Sequence, residues 1–425
     1  MQMNKIAFKS EFARNALTIF TGSAIAQAIP FFVEPILTRL YSPEEFAVLA
    51  LYISTSSLFV IIATGRYELA VMLPKTDRKS VNVVGLSVLI AIGVSLFSFL
   101  IVGLFNKQIC SVLKNQDVGP FLYLIPFSVL LVGVYQALNY WASRHKRFRN
   151  VTVARVTQTL TNSGLTVGTG FYGLATSGLI GSYLIGQLVA VIPLLGKFIK
   201  HDRKAASIIN KADMQTVAKE YSDFPKINSL HAFSDILQQS LLIFLISYFF
   251  SQAMVGYYSR TFRIIAAPVA LIGSAIGQVF FQKASQMYAQ GENIQPFVKR
   301  TMLNLAMIAV PGFGLLMIFG DTLFAFALGE PWRQAGVYAQ VLSPWMCMNF
   351  IVGPVSVIPL IVGKQKQVFL YSLIGNTLIL ASIFYGGYFA KNIIYGFYML
   401  STLMVIYYAT LFLWILKISG SKKVL

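Results

Sequence analysis

The sequence predicts an all-α, polytopic membrane protein of about twelve transmembrane helices in two six-helix lobes. Three observations lead there. Of 425 residues, 56% are apolar and only 12% charged, where a soluble domain carries roughly 25% charged residues; the groups that would face water are missing. Apolar stretches recur from Leu17 to Leu416, each about 20 residues long, which carries an α-helix across about 30 Å of hydrocarbon. Basic residues gather in the gaps between them.

Proline, glycine and charge mark where each stretch stops. The first span, 17–40, follows Lys5, Lys9 and Arg14 and contains a cleavage-like Ala24-Ile25-Ala26. Apolar sequence runs on to Leu40, so it reads as an uncleaved helix. Ser42-Pro43 separates it from the second, 46–66, and Pro74 to Lys79 separates that from the third, 81–104. The fourth, 121–141, starts after Gly119-Pro120, the fifth, 151–173, after the basic run Arg144 to Arg149, and the sixth, 177–198, after Gly173. Next comes the longest loop, 199–226, with seven basic residues if Lys197 is included. It falls near the midpoint and predicts lobes 1–205 and 206–425. The second lobe reads as spans 227–250, 255–283, 297–319, 335–362, 367–387 and 393–416.

Net charge is +19, a balance that elsewhere suggests nucleic acid, but its distribution excludes that partner. With the N-terminus inside, cytoplasmic segments hold 25 basic residues and outer segments five, as the positive-inside rule requires. Both termini are therefore expected in the cytoplasm. Cys110 and Cys347 are too few for a disulfide framework or a metal cluster, and no metal or cofactor is expected. No loop is large enough for a catalytic domain, so the chain does not read as an enzyme. Gly168-Thr169-Gly170-Phe171-Tyr172-Gly173 matches a dinucleotide fingerprint by letter, yet it ends a membrane span and lacks the following acid. Gly164-x-x-x-Gly168 and Gly273-x-x-x-Gly277 read instead as places where helix backbones approach closely.

Polar groups inside the spans carry the functional signal, because a charge at mid-bilayer costs about 2.5–3.5 kcal/mol on insertion scales and usually faces a polar interior. Arg155, Gln158, Asn162 and Thr166 share a helical face of the fifth span. Asn228, His231, Asp235 and Gln238 share one of the seventh, Arg260 and Arg263 one of the eighth, and Ser23, Gln27 and Glu34 one of the first. Interhelical hydrogen bonding is the competing explanation for such stripes. Arg66 and Arg155 fall near the cytoplasmic ends of their spans, Arg260 and Arg263 in the outer half, and Arg39 at the outer end of the first. Cations at several depths favour an anionic cargo.

Several stretches together resemble the Wzx-type oligosaccharide flippases, the polysaccharide biosynthesis family of the multidrug/oligosaccharidyl-lipid/polysaccharide exporter superfamily. They are Pro35 to Phe46 (PILTRLYSPEEF), Arg66-Tyr67-Glu68-Leu69-Ala70 with Leu73-Pro74, Asn139-Tyr140-Trp141 with Arg144, and Asp223-Phe224-Pro225-Lys226. Gly256-Tyr257-Tyr258, Pro268 with Gly277 to Phe281, and Gly329-Glu330-Pro331-Trp332 with Ala335-Gly336 complete the set. Ala47 stands where the family often has glycine, and Arg263 before Pro268 resembles an arginine of the related lipid II flippases. The resemblance implies a two-lobed bundle around a central cavity, no ATPase, and alternating access. Its implied cargo is undecaprenyl-pyrophosphate-linked oligosaccharide, flipped from inner to outer leaflet of the bacterial cytoplasmic membrane for O-antigen, lipopolysaccharide, capsule or exopolysaccharide.

Under that reading the pyrophosphate and glycan contacts are expected from Arg66, Arg260, Arg263, Arg155, Arg39, Gln27, Asn162 and Gln238. Glu34, Glu68, Asp235 and His231 are expected to couple or gate. Partners would be the lipid-linked cargo, membrane lipid, and the polysaccharide polymerase and chain-length regulator. The alternatives are a cation-coupled multidrug exporter of the same fold and a polymerase or ligase acting on lipid-linked glycans.

Overall fold

A computed structural model describes residues 21–22 and 24–420, with the side chains of residues 227 and 231 excepted. Among the described residues there are helices, turns and bends but no strand. Twelve long helices follow the predicted spans in order. They are α1 (21–40), α2 (Pro43–Val60), α3 (Asp77–Leu113), α4 (Ile125–Arg144), α5 (Phe148–Phe171), α6 (Ala175–His201), α7 (Ser229–Phe249), α8 (Gln252–Ala289), α9 (Gln295–Leu328), α10 (Arg333–Val352), α11 (Gln365–Tyr388) and α12 (Ile393–Ser419). Nine segments built on these helices are long and apolar enough to cross a membrane, so the chain is a multi-pass membrane protein. α5 falls outside that set because its polar Arg155–Thr166 stripe dilutes its hydropathy.

Local chemistry sets the helix starts. Ser42 and Glu45 form a reciprocal capping box on α2, with Ser42 N donating to Glu45 Oε2 at 2.6 Å and Glu45 N to Ser42 Oγ at 3.2 Å. Two orphan amides are thereby satisfied, and Pro43 sits where its missing N–H costs nothing. Thr76 caps α3 through the Lys79 amide, and Asn392 caps α12 through the Ile394 amide at 2.9 Å.

The described residues divide into two compact units bounded by Met1–Phe244 and Leu245–Leu425. In the first, Val81, Val84, Ala137, Leu138, Trp141 and Leu194 join one buried cluster beneath the 3-10 turn Tyr67–Met72. The segment expected as a plain loop over 199–226 is in fact structured, with short helices Arg203–Ala206 and Lys211–Glu220. It is fastened onto α3 and α4. Val217 sinks into the same core, Tyr67 donates its hydroxyl to the Ala218 carbonyl at 2.9 Å, and the Asn210 amide donates to Asn82 Oδ1 at 2.9 Å. Arg78 pairs with Asp213 and Lys79 with Glu220, both at 2.8 Å.

Asp202 is the buried anchor of this clasp. It accepts from Trp141 Nε1 at 3.0 Å and from both terminal nitrogens of Arg147, Nη2 at 2.9 Å. Burial works against its charged form, yet the hydrogen bonds from Arg147 and Trp141 prevail and hold the carboxyl below the usual carboxylate range. Arg144 pairs with Asp77 at 3.1 Å and covers the Val71 and Met72 carbonyls.

In the second unit, Phe280, Ala284, Val298, Met302, Val355 and Ile415 belong to one core cluster. Two glycine pairs let helices touch: a Cβ on Gly336 of α10 would collide with the Gly320 carbonyl of α9, and one on Gly386 of α11 with the Gly396 backbone of α12. The glycine spacings singled out from sequence behave differently. A Cβ at Gly164 or Gly168 would meet nothing within 4 Å, so no backbone approaches there, and Gly273 and Gly277 face Pro354 at ordinary contact distances of 3.9 and 3.8 Å.

Candidate functional site

The second span ends sooner than its hydropathy implies. α2 stops at Val60, and after a turn both Gly65 (φ +57°) and Arg66 (φ +61°) occupy left-handed backbone before the 3-10 turn begins at Tyr67. Arg66 is therefore in the turn beyond the helix, not at its twentieth residue. Left-handed backbone costs a non-glycine residue roughly 1–2 kcal/mol, and the neighbours on both sides hold it there. Tyr67 is anchored in the core and to Ala218. Glu68, 1% exposed, accepts from the Thr64 hydroxyl and pairs with Arg66 Nη1 at 3.5 Å. Tyr140 of α4 lies within electrostatic reach of both charges. The Arg66 side chain stays 25% exposed, so its guanidinium is partly neutralised but still reachable.

The α5 stripe faces α6. A Cβ on Gly186 would press on Asn162 Cβ and the Gln158 carbonyl, and Thr166 donates to the Asn162 carbonyl at 2.7 Å while its own carbonyl accepts from Tyr41. Asn162 and Gln158 thus sit at a helix–helix contact, with Arg155 half-buried a turn or more away. On α1, Glu34 is buried at 2% exposure while Gln27 and Arg39 are exposed. Ser23 and the His231 side chain lie outside the described residues. Asp235 and Gln238 are half-buried on α7.

α8 brings two arginines together with a cavity. Arg260 is buried at 4% exposure and Arg263, three residues on, is half-buried. They stand about 12 and 17 Å along a helix that starts at Gln252. The turn that carries them is fixed by the Thr261 hydroxyl on the Ala335 carbonyl at 2.7 Å and by Phe262 packing against Tyr258 and Trp345. Below it lies a cavity of about 700 Å³ lined chiefly by Ala266, Ala270, Gly273, Gly277, Phe350 and Pro354. Arg263, Ala266, Ala270, Gly273 and Gly277 recur at steps of three, four, three and four. Arg263 therefore lies on the cavity face of α8, one turn from the lining.

Sequence reasoning missed the far wall. The tenth span, taken as continuous over 335–362, breaks after Val352 into the 3-10 turn Gly353–Val355 and a short helix Ile358–Ile361. Gly353-Pro354 was the available signal, since proline removes a helical donor and clashes with the preceding turn. The break leaves Asn349 on the cavity wall, its Oδ1 accepting from Tyr408 at 3.1 Å. Among the described residues no group of His, Cys, Asp and Glu is arranged to hold a metal.

A family model described as "Polysaccharide biosynthesis protein" matches residues 36–336. Among curated proteins, none matches this sequence. The fold is similar to an inward-facing multidrug resistance MATE family transporter of the MOP superfamily, with TM-score 0.74 at 12% identity over 92% of this chain and 94% of that one. It is similar to the lipid II flippase MurJ in an inward closed conformation to the same degree, with TM-score 0.73 at 12% identity over 95% and 90%.

Proposed function

The chain belongs to the polysaccharide biosynthesis protein family, and from that premise we propose that it flips undecaprenyl-pyrophosphate-linked oligosaccharide across the bacterial cytoplasmic membrane by alternating access. The observation that carries this reading is Arg263 on the same α8 face as an apolar cavity of about 700 Å³. The cargo has the same two-part chemistry, a diphosphate head beside a hydrocarbon tail. A guanidinium offers charge-assisted, often bidentate hydrogen bonds to phosphate oxygens, and small residues behind it leave room for isoprenoid carbon.

Arg66, Arg260 and Arg263 contact the diphosphate at successive stages, and Arg155, Arg39, Gln27, Asn162 and Gln238 contribute along the path. Glu68 acts as the gate partner of Arg66 and Glu34 as a second gate, while Asp235 with His231 couples transport to a proton or cation. Both termini are cytoplasmic, and the released unit passes to a polymerase and chain-length regulator of O-antigen, capsule or exopolysaccharide.

The test measures surface polymer and membrane abundance together in cells carrying Arg263→Ala or Arg263→Lys. Export lost at normal abundance for alanine, with part retained for lysine, is expected, as is lipid-linked repeat unit accumulating inside deletion cells. Export that merely tracks abundance reduces Arg263 to a packing residue. Unchanged polymer with altered drug susceptibility would assign the chain to multidrug export instead.

A further inference from the structure

α6 changes character along its exposed side. Ile185, Leu188, Ile192, Leu195 and Ile199 recur at steps of three and four and are each 39% to 58% exposed, an apolar stripe of the kind a membrane helix turns to lipid. The adjoining face is committed to the protein: Leu194 is 3% exposed, Phe198 meets Trp141 edge-on at 5.8 Å, and Asp202 is the buried anchor of the clasp. Toward the end of α6 the exposed side becomes basic, with Lys197 and Lys200 beside the apolar stripe and Arg203 and Lys204 just beyond the helix. Lys197, Lys200, Arg203 and Lys204 are all exposed, and among the described residues none of the four forms an ion pair.

The fold removes the negative charge that would balance them. Asp202 is the only acid along the chain between Asp117 and Asp213. Its carboxylate is consumed by Arg147 and Trp141, and Asp213 is taken by Arg78. Membrane topology alone asks for basic residues on this side. It does not ask that four exposed cations within eight residues all lack an ion-pair partner among the described residues while the one acid between them is buried.

We propose that Lys197, Lys200, Arg203 and Lys204 form a docking surface for the headgroups of anionic phospholipids in the adjoining leaflet. Phosphodiester groups lie at the depth where the apolar stripe stops, within reach of long basic side chains whose stems stay on the hydrocarbon. Each lysine or arginine near an anionic membrane surface contributes about a five-fold gain in association, and the effect is screened by salt.

The test titrates purified full-length protein in detergent with phosphatidylglycerol or phosphatidylcholine of matched acyl chains and counts retained lipid by native mass spectrometry. Wild type retains phosphatidylglycerol at least about ten-fold over phosphatidylcholine, and the preference shrinks as salt rises from about 0.05 to 0.5 M. K197Q/K200Q/R203Q/K204Q loses that preference by at least about ten-fold. K299Q/R300Q/K364Q/K366Q, which removes equal charge elsewhere, keeps it, as does K197R/K200R/K204R. The pairs K197Q/K200Q and R203Q/K204Q each lose part, which covers the case of a quadruple variant that fails to fold. Equal retention of both lipids by wild type, equal loss in the two neutralised quadruple variants, or displacement of the lipid by inorganic phosphate at matched concentration overturns the proposal.

Discussion

Trp141 donates its indole N–H to Asp202 across 61 residues of sequence, at 3.0 Å. Trp141 is among the residues by which the chain resembles its family, and here it has a structural task. Together with Arg147 it pins the start of the segment that is clasped against α3 and α4.

Removing that carboxylate should loosen the first unit. Asp202 is 8% exposed and Arg147 31%, so Asp202→Ala leaves a largely covered guanidinium and an indole N–H without their acceptor. The expected loss is about 2–3 kcal/mol, read as a lower thermal unfolding midpoint in detergent. Asp202→Asn, which keeps one acceptor, should lose less. An alanine variant that melts with wild type would mean the clasp adds nothing.

The same pair sets a pH dependence. The Asp202 carboxyl is held below its ordinary range, so the unfolded chain binds a proton more readily than the folded one. Its stabilisation is then fully present above the unfolded value near about 3.9 and is lost as pH falls through the lower folded value. The difference in midpoint between wild type and Asp202→Asn should be constant from about pH 5 to 8 and shrink below about pH 4. A difference that grows on acidification contradicts the assignment.

Arg66 separates backbone from side chain. Its left-handed backbone (φ +61°) favours glycine, so Arg66→Gly should be more stable than Arg66→Ala by about 1 kcal/mol, although both lose the pairing to Glu68. If the guanidinium meets the cargo, both should lose polymer export to the same extent at their measured abundance. Export restored in the glycine variant would show that the turn matters and the charge does not.

Glycine substitutions should sort by what surrounds them. Gly336→Ala drives a methyl group into the α9 backbone at Gly320 and should cost more than about 2 kcal/mol, seen as reduced membrane abundance. Gly168→Ala meets open space and should be neutral or slightly stabilising through helix propensity. Equal abundance of the two variants would refute the close approach of α9 and α10.

The helices were legible because each had to supply about 20 apolar residues, a demand that lipid writes directly into sequence. What stayed hidden has local causes. Ile61, Ile62 and Ala63 keep the hydropathy of α2 running past its real end, and only Gly65 betrays the turn that carries Arg66. The helix Lys211–Glu220 is short and mostly polar, and its docking depends on the buried Val217 and on ion pairs with residues more than a hundred positions away. Asn162 and Arg155 share a face, as periodicity required, but periodicity does not say that the face meets α6. The cavity beside Arg263 needed the Gly353–Val355 break, which a hydropathy profile averages away.

α3 runs without proline from Asp77 to Leu113, about 55 Å of continuous hydrogen-bonded rod, whereas α6, α8, α9 and α10 each carry an internal proline. At one end Arg78 and Lys79 grip the clasped segment; at the other, Asn106 donates to the Gly119 carbonyl and Cys110 packs at the following turn. A rod lacking a joint carries whatever moves one end through to what is attached at the other. A tilt of a few degrees where the short helix Lys211–Glu220 is gripped becomes a displacement of several ångströms at the far end of the helix.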